Sequence, residues 1–298
     1  MKFINKKNIV LPVRKKNSHK GDNGRVLVVG GSKDYVGAVT LAGLASLRSG
    51  ADLVKIIAPE KVAWAINAYS PDLITMKISG VDFFRSRNFD TIKDEIEKFD
   101  VLLIGNGIGL NDETKKFCRK TIRSIKKLKV IDADAIKSIS MHDAVNSIIT
   151  PHAKELEQFL INSGCSDAAR KISLAKSYVE KSGLVKKATE KFLKNNNVIL
   201  LKGIIDIVIS KDKIFYNKTG NAGMTKGGTG DVLAGLCAGF LAQTGDLVQS
   251  AINGAYFNGL IGDILLTRKK GYTYLASDMV EEIERIVKLR TRKLSCKI

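Results

Sequence analysis

Four apolar residues in succession, Val101-Leu102-Leu103-Ile104, constrain this chain more than any other feature. The run is too short for a helix and carries no polar residue to face water. It fits a strand covered on both faces, as in the middle of a parallel sheet. Similar runs recur at Arg25 to Val29, Leu53 to Ala58, Leu73 to Ile78, Lys129 to Asp132, Ile148 to Thr150 and Val198 to Leu201. Between them lie segments of helical period: Ala38 to Gly50, Glu60 to Ala68, Phe89 to Phe99, Asn111 to Lys126, Lys154 to Ile161, and Asp167 to Asn195 with a break expected near Gly183. This alternation predicts βαβ units in an α/β fold, with a mostly parallel sheet and helices on both faces. Asp206 to Ser210 and Lys213 to Tyr216 read as a hairpin turning at Lys211-Asp212. Helices are expected at Thr229 to Ala242, Leu247 to Leu266 and Ala276 to Leu289. Met1 to Asn23 is a polar lead-in whose apolar anchor is Val10-Leu11-Pro12. No linker-like segment or repeat interrupts the chain, so residues 1–298 read as one domain.

Composition narrows the class. With 44% apolar residues the chain can bury a large core without disulfides. Its cysteines, Cys118, Cys165, Cys237 and Cys296, form no C-x-x-C pair, and three histidines give no zinc-like cluster. They read as reduced thiols in a cytoplasmic protein. The first twenty residues hold no long apolar stretch, and Val232 to Ala242 is too short to span a bilayer. The net charge of +19 invites a nucleic-acid reading. Its lysines are spread over helix faces, however, and aromatic residues are sparse, so specific nucleic-acid binding is not expected.

In folds of this class, ligands bind beyond the carboxyl ends of the strands. The glycine-dense stretch from Asn217 to Gly245 is the strongest candidate. Gly220, Gly223, Gly227, Gly228 and Gly230 lead into an apolar helix starting near Thr229. A loop of this kind can aim several backbone N–H groups at one anion, and the helix dipole reinforces them. Asp231 places a carboxylate beside that point. Simple capping by Thr229 and Asp231 is the plainer alternative, but a cap does not call for so many glycines. The stretch is not a Walker A loop, because Thr225 precedes Lys226 and Gly227 follows it. Gly105-Asn106-Gly107-Ile108-Gly109 fails the dinucleotide fingerprint at Leu110. It remains either a tight turn or a place of backbone approach to a ligand. Thr150-Pro151-His152-Ala153-Lys154-Glu155 opens a helix at a strand end, and His152 is there a helix-start residue or a ligand contact. Lys202-Gly203 is a β-turn with an exposed lysine or a phosphate contact. His142 reads as solvated.

Taken together, these motifs resemble one branch of the ribokinase-like enzymes, the ADP/ATP-dependent NAD(P)H-hydrate dehydratases. The most specific piece is Thr219-Gly220-Asn221-Ala222-Gly223-Met224 through Asp231-Val232-Leu233-Ala234-Gly235. His19-Lys20-Gly21, Gly30-Gly31-Ser32, Gly37-Ala38, Asp132-Ala133-Asp134, the His152 segment, Lys202-Gly203 and Ala276-Ser277-Asp278 follow in the family's order, from His19 to Val287. Asn106 departs from the Pro usual at its position.

The resemblance implies a three-layer α/β/α fold. It implies Asp231 as the base, with the backbone of Gly228, Thr229 and Gly230 as an anion hole. Ala38, Gly107, His152 and Asp231 would contact the hydrated nicotinamide substrate, NADHX or NADPHX. Lys202, Gly203, Ile204, Ile205, Asp206 and Gly230 would bind ADP or ATP, with ADP favoured. Mg²⁺ would be held by phosphates and water, since no dedicated metal cage is visible. A homotetramer is implied. So is an epimerase on a separate chain, because Met1 to Lys20 is too short to be that domain. The alternative is a small-molecule kinase of the same fold, acting on a vitamin precursor or sugar.

Overall fold

Along each central strand, side chains divide between two buried clusters. Val26 and Val28 join one, while Leu27 and Val29 join the other; Leu103 and Leu102 divide in the same way. The period-2 alternation therefore points apolar groups to both faces, and both faces need cover. In the computed structural model, which describes residues 1–268 and 271–295, a mixed sheet supplies the middle layer. Its strands are β1 (Arg25–Val29), β2 (Leu53–Pro59), β3 (Ile74–Ile78), β4 (Val101–Ile104), β5 (Leu128–Ile131), β6 (Ser147–Ile149), β7 (Asn197–Leu201), β8 (Asp206–Ile209) and β9 (Ile214–Asn217). Their order is β3-β2-β1-β4-β5-β6-β7-β8-β9. Pairing is parallel as far as β7, and β7-β8-β9 is antiparallel.

One face is covered by the helices Val36–Arg48, Thr229–Thr244, Leu247–Arg268 and Ala276–Ser295. The other is covered by Asn88–Ile96, Asp112–Ser124, Ala153–Asn162 and the helices that follow it. The small residues of the Thr229 helix have a packing cause. A Cβ on Gly235 would lie 2.3 Å from Ala42 O, and one on Gly239 would lie 1.8 Å from Ser49 Oγ. This close approach to the Val36 helix is fixed by the Ser46 hydroxyl, which donates to Gly235 O at 3.0 Å. Among the described residues no helix is long and apolar enough to cross a membrane. Cys118, Cys165 and Cys237 are free thiols, and Cys296 lies outside the described residues.

One expectation changes. The helical stretch after Asp167 breaks not at Gly183 but before Tyr178 and at Thr189, giving Ser166–Ser173, Tyr178–Ala188 and Glu190–Lys194. Ser177 caps the middle helix by accepting from Glu180 N, and Gly183 sits inside that helix facing open space. A side chain that satisfies a helix-start amide sets the boundary more firmly than a tolerated glycine. The lead-in is held at the sheet edge as well as by the expected anchor, where Leu11 packs on the core and the Val10 carbonyl accepts from Asn253 Nδ2 at 2.7 Å, although the Val10 side chain is exposed. Ile4 N donates to Tyr216 O at 2.8 Å and Tyr216 N to Lys2 O at 3.0 Å, so the first residues cover the open edge of β9. The Asp132-Ala133-Asp134 motif opens a five-residue helix, Asp134–Ser138.

Candidate active site

The strand order reverses direction at β1, which lies between β2 and β4. Loops leaving β1 and β4 therefore part from one another and open a crevice at their carboxyl ends. Asn106 stands at its floor with no exposure. It can do so because Gly105 has φ +125, and a Cβ there would lie 1.9 Å from Asp132 O. Only glycine permits that approach. Gly31 N donates to Asn106 O at 2.9 Å, joining the two loops. Gly107 packs on the start of the Val36 helix, where its Cβ would stand 3.1 Å from that of Ala38. The structure thus brings Ala38 and Gly107 together on one wall.

The opposite wall is the start of the Thr229 helix. Gly228, with φ +95, is its N-cap. Val232 N returns to Gly228 O at 3.1 Å, so the amides of Gly230 and Asp231 precede the helix's own ladder and are open to an anion. Thr229 N already makes a long 3.5 Å contact with Lys226 O. The Thr229 hydroxyl points back into the loop, at 2.7 Å from Met224 O and 3.0 Å from Lys226 O. Lys226 is not aimed at the crevice; its ammonium donates to the carbonyls of Tyr272 and Tyr274. The glycine loop is therefore held from outside by residues preceding the last helix.

Asp231 is half-buried at this helix start, and its Oδ1 accepts from Asn106 Nδ2 at 2.7 Å. The same amide donates to Asp132 Oδ2 at 3.0 Å. Asp132, 2% exposed, also accepts from the Thr150 hydroxyl at 2.6 Å and from Lys202 Nζ at 3.1 Å. Ala133, with φ +50, turns the chain sharply behind Asp132. Lys202 also pairs with Glu155 at 3.5 Å. Two carboxylates thus pair with one ammonium, and the charge of Asp231 acts on it as well. Burial, and next the Asp132 charge, push the Asp231 carboxyl up to about 6, against the Asn106 hydrogen bond and the Lys202 charge. Burial works against the Lys202 ammonium, but Asp132 and Glu155 outweigh it and its pKa is raised. A carboxylate poised near 6 and a fixed cation beside open amides suit proton removal next to a phosphoryl group.

Lys202 also lines a cavity of about 550 Å³, together with Gly203, Ile204 and Ile205. Leu156, Leu160, Ile172 and Ile207 give it apolar walls, and Lys154, Lys176 and Lys181 add positive charge. Ile204 lines this cavity while its side chain stays 99% exposed. Asp206 is committed to the loop itself: Oδ1 accepts from Gly203 N and Oδ2 from Asn217 Nδ2, both at 3.1 Å. Burial raises its pKa to about 6. His152 caps the Ala153 helix, its Nδ1 accepting from Lys154 N and Glu155 N, and its backbone N donates to Glu155 Oε2 at 2.9 Å. With Nδ1 an acceptor, the ring proton sits on Nε2, 3.3 Å from Glu155 Oε1. Burial is the main cause that lowers its pKa. His152 is thus both a helix start and a neighbour of the charged cluster.

Asn106, Asp132 and Glu155 were visible in sequence motifs but carried no assigned role. Their signal was position: each follows the end of a parallel strand. Among the described residues no group of three or more His, Cys, Asp or Glu side chains can hold a metal ion.

The profile of the NAD(P)H-hydrate dehydratase family matches residues 26–285. A bifunctional NAD(P)H-hydrate repair enzyme of Methanocaldococcus jannaschii is 40% identical over 279 residues, which cover 93% of this chain and 50% of that protein. The chain thus spans about half the length of this curated relative and of several like it. An ADP-dependent (S)-NAD(P)H-hydrate dehydratase of Cenarchaeum symbiosum is 31% identical over 283 residues, 93% of each chain. The structure of an ADP/ATP-dependent NAD(P)H-hydrate dehydratase from Bacillus subtilis, co-crystallized with ATP/Mg²⁺, superposes with a TM-score of 0.75 at 25% identity, covering 96% of this chain and 98% of that one.

Proposed function

The chain belongs to the NAD(P)H-hydrate dehydratase family, and on that premise we propose that it converts the S form of hydrated NADH or NADPH back to the reduced dinucleotide, with ADP as phosphoryl donor. The observation that carries this reading is the place of Lys202. It lies between the cavity and the Asp231 cluster, so a nucleotide seated in the one directs its terminal phosphate toward the other.

Asp231 takes the proton of the C6 hydroxyl. The freed oxygen attacks the terminal phosphorus of ADP, and the bond to the leaving AMP breaks. The amides of Gly228 and Gly230, with a weaker share from Thr229, face the charge on the transferring group. Phosphate is a far better leaving group than hydroxide. The ring-nitrogen lone pair then expels it, and loss of a C5 proton restores the double bond. Ala38, Gly107 and His152 would border the nicotinamide ring. Lys202 and the Gly203–Asp206 loop would hold the nucleotide. Among the described residues no side-chain cluster forms a metal cage, and a Mg²⁺ ion would be held mainly by the nucleotide phosphates and water. Such an ion would supply charge neutralisation there. A cytoplasmic homotetramer completes the reading.

Incubating purified protein with the S hydrate and ADP should restore the near-ultraviolet absorbance of the dihydronicotinamide, with one AMP and one phosphate per turnover. No recovery with either ADP or ATP would refute it.

A further inference from the structure

Among the described residues Asn106 is the one fully buried polar side chain hydrogen-bonded to the Asp231 carboxylate, and the chemistry above gives it nothing to do. Its two amide protons go to two different carboxylates, Asp231 at 2.7 Å and Asp132 at 3.0 Å. Its own Oδ1 is buried and accepts nothing among the described residues. That settles which way the amide faces. Turned over, the oxygen would meet two anionic carboxylates. A buried acceptor left unpaired is unfavourable and calls for a reason. Here both donors are committed to holding two like charges side by side.

We propose that Asn106 is a positioning residue for Asp231: its amide ties Oδ1 to the crevice floor, turns Oδ2 toward the incoming hydroxyl, and allows Asp231 and Asp132 to be anionic together. The statement about the hydroxyl rests on the dehydratase reading; the statement about the two carboxylates does not. Asp231 Oδ2 accepts no hydrogen bond among the described residues, so that oxygen is available. The charged groups facing Asp231 are Asp132 beyond β5, Glu155 on the Ala153 helix and Lys202 beyond β7. Lys202 already serves Asp132 and Glu155. Without the amide, nothing neutral would separate Asp231 from Asp132, and Asp231 would hold its proton to higher pH.

The test compares wild type with Asn106→Leu and Asn106→Ser. The serine keeps one donor. In Asn106→Leu the acid limb of kcat/KM should move up by about one pH unit. At neutral pH kcat should fall about tenfold while KM for the hydrate changes by less than about threefold. Asn106→Ser should fall between the two proteins. A folded Asn106→Leu with an unmoved acid limb overturns the proposal. A second measurement needs no variant and no turnover. In the wild-type protein, the Asn106 side-chain amide NMR signals should titrate with the same midpoint as the Asp231 carboxyl carbon. An amide that does not respond overturns the proposal even if the variants fail to fold. A wild type with the expected titration but no turnover would refute the dehydratase reading and leave the bridge intact.

Discussion

The Lys202 ammonium stands 3.1 Å from Asp132 Oδ1, and that aspartate is almost wholly buried. Removing one partner of a buried pair leaves the other uncompensated, at a cost of about 3–5 kcal/mol. Lys202→Met should therefore lower the urea midpoint clearly and raise KM for the nucleotide about tenfold or more. Lys202→Arg, which keeps the charge, should lose less on both counts. Initial rates at varied ADP give the check. A folded Lys202→Met with an unchanged KM would remove Lys202 from the nucleotide site.

Asp231 has a folded pKa of about 6 against an ordinary value of 3.8. Between those values the folded state binds more protons than the unfolded one, so this group's contribution to stability falls as pH rises through the window. Its penalty is absent below about pH 4 and complete above about pH 6. Asp231→Asn lacks it. Near neutral pH the variant should be more stable by on the order of 2 kcal/mol, and the two proteins should converge in acid. Turnover should fall about a thousandfold. In the wild type, the acid limb of kcat/KM should lie at about pH 6. Thermal melts across pH and a pH–rate profile test both halves.

Two neighbouring glycines should respond differently to alanine. At Gly228, φ is +95 and a Cβ would stand 2.7 Å from both Ala276 Cβ and Leu41 Cδ1. Gly228→Ala should cost about 2 kcal/mol or more through strain and crowding. At Gly230 a Cβ would meet only Lys202 Nζ, at 3.5 Å. Gly230→Ala should keep the melting temperature and lose turnover, because the methyl group stands between the ammonium and the open amides. A fully active Gly230→Ala would move the phosphoryl site elsewhere.

Gly183 lies inside the helix Tyr178–Ala188 with nothing near its missing side chain. Gly183→Ala should raise stability by about 0.5–1 kcal/mol through helix propensity, and leave turnover unchanged. Denaturant melts decide it; a destabilised variant would contradict the uninterrupted helix.

The strands and most helices were legible because periodicity is a local property. The run Val101–Ile104 could be read without its neighbours, and so could the glycine-dense approach to Asp231. The break after Asp167 was misplaced because Gly183 is a weak local signal, and the Ser177 cap that ends the ambiguity needs a conformation to act. The roles of Asn106, Asp132 and Glu155 were not legible, although each residue was in plain view.

By itself, the order of amino acids determined the layered α/β plan, the carboxyl edge as the working edge, and an acidic residue at the mouth of a glycine-lined helix. Only tertiary structure decided who surrounds that acid. Asn106 and Asp231 are 125 positions apart, and Lys202 and Asp132 are 70 apart. Parallel strands deliver such distant loops to one crevice in an order that no local pattern records. The charge balance of the site follows from that order.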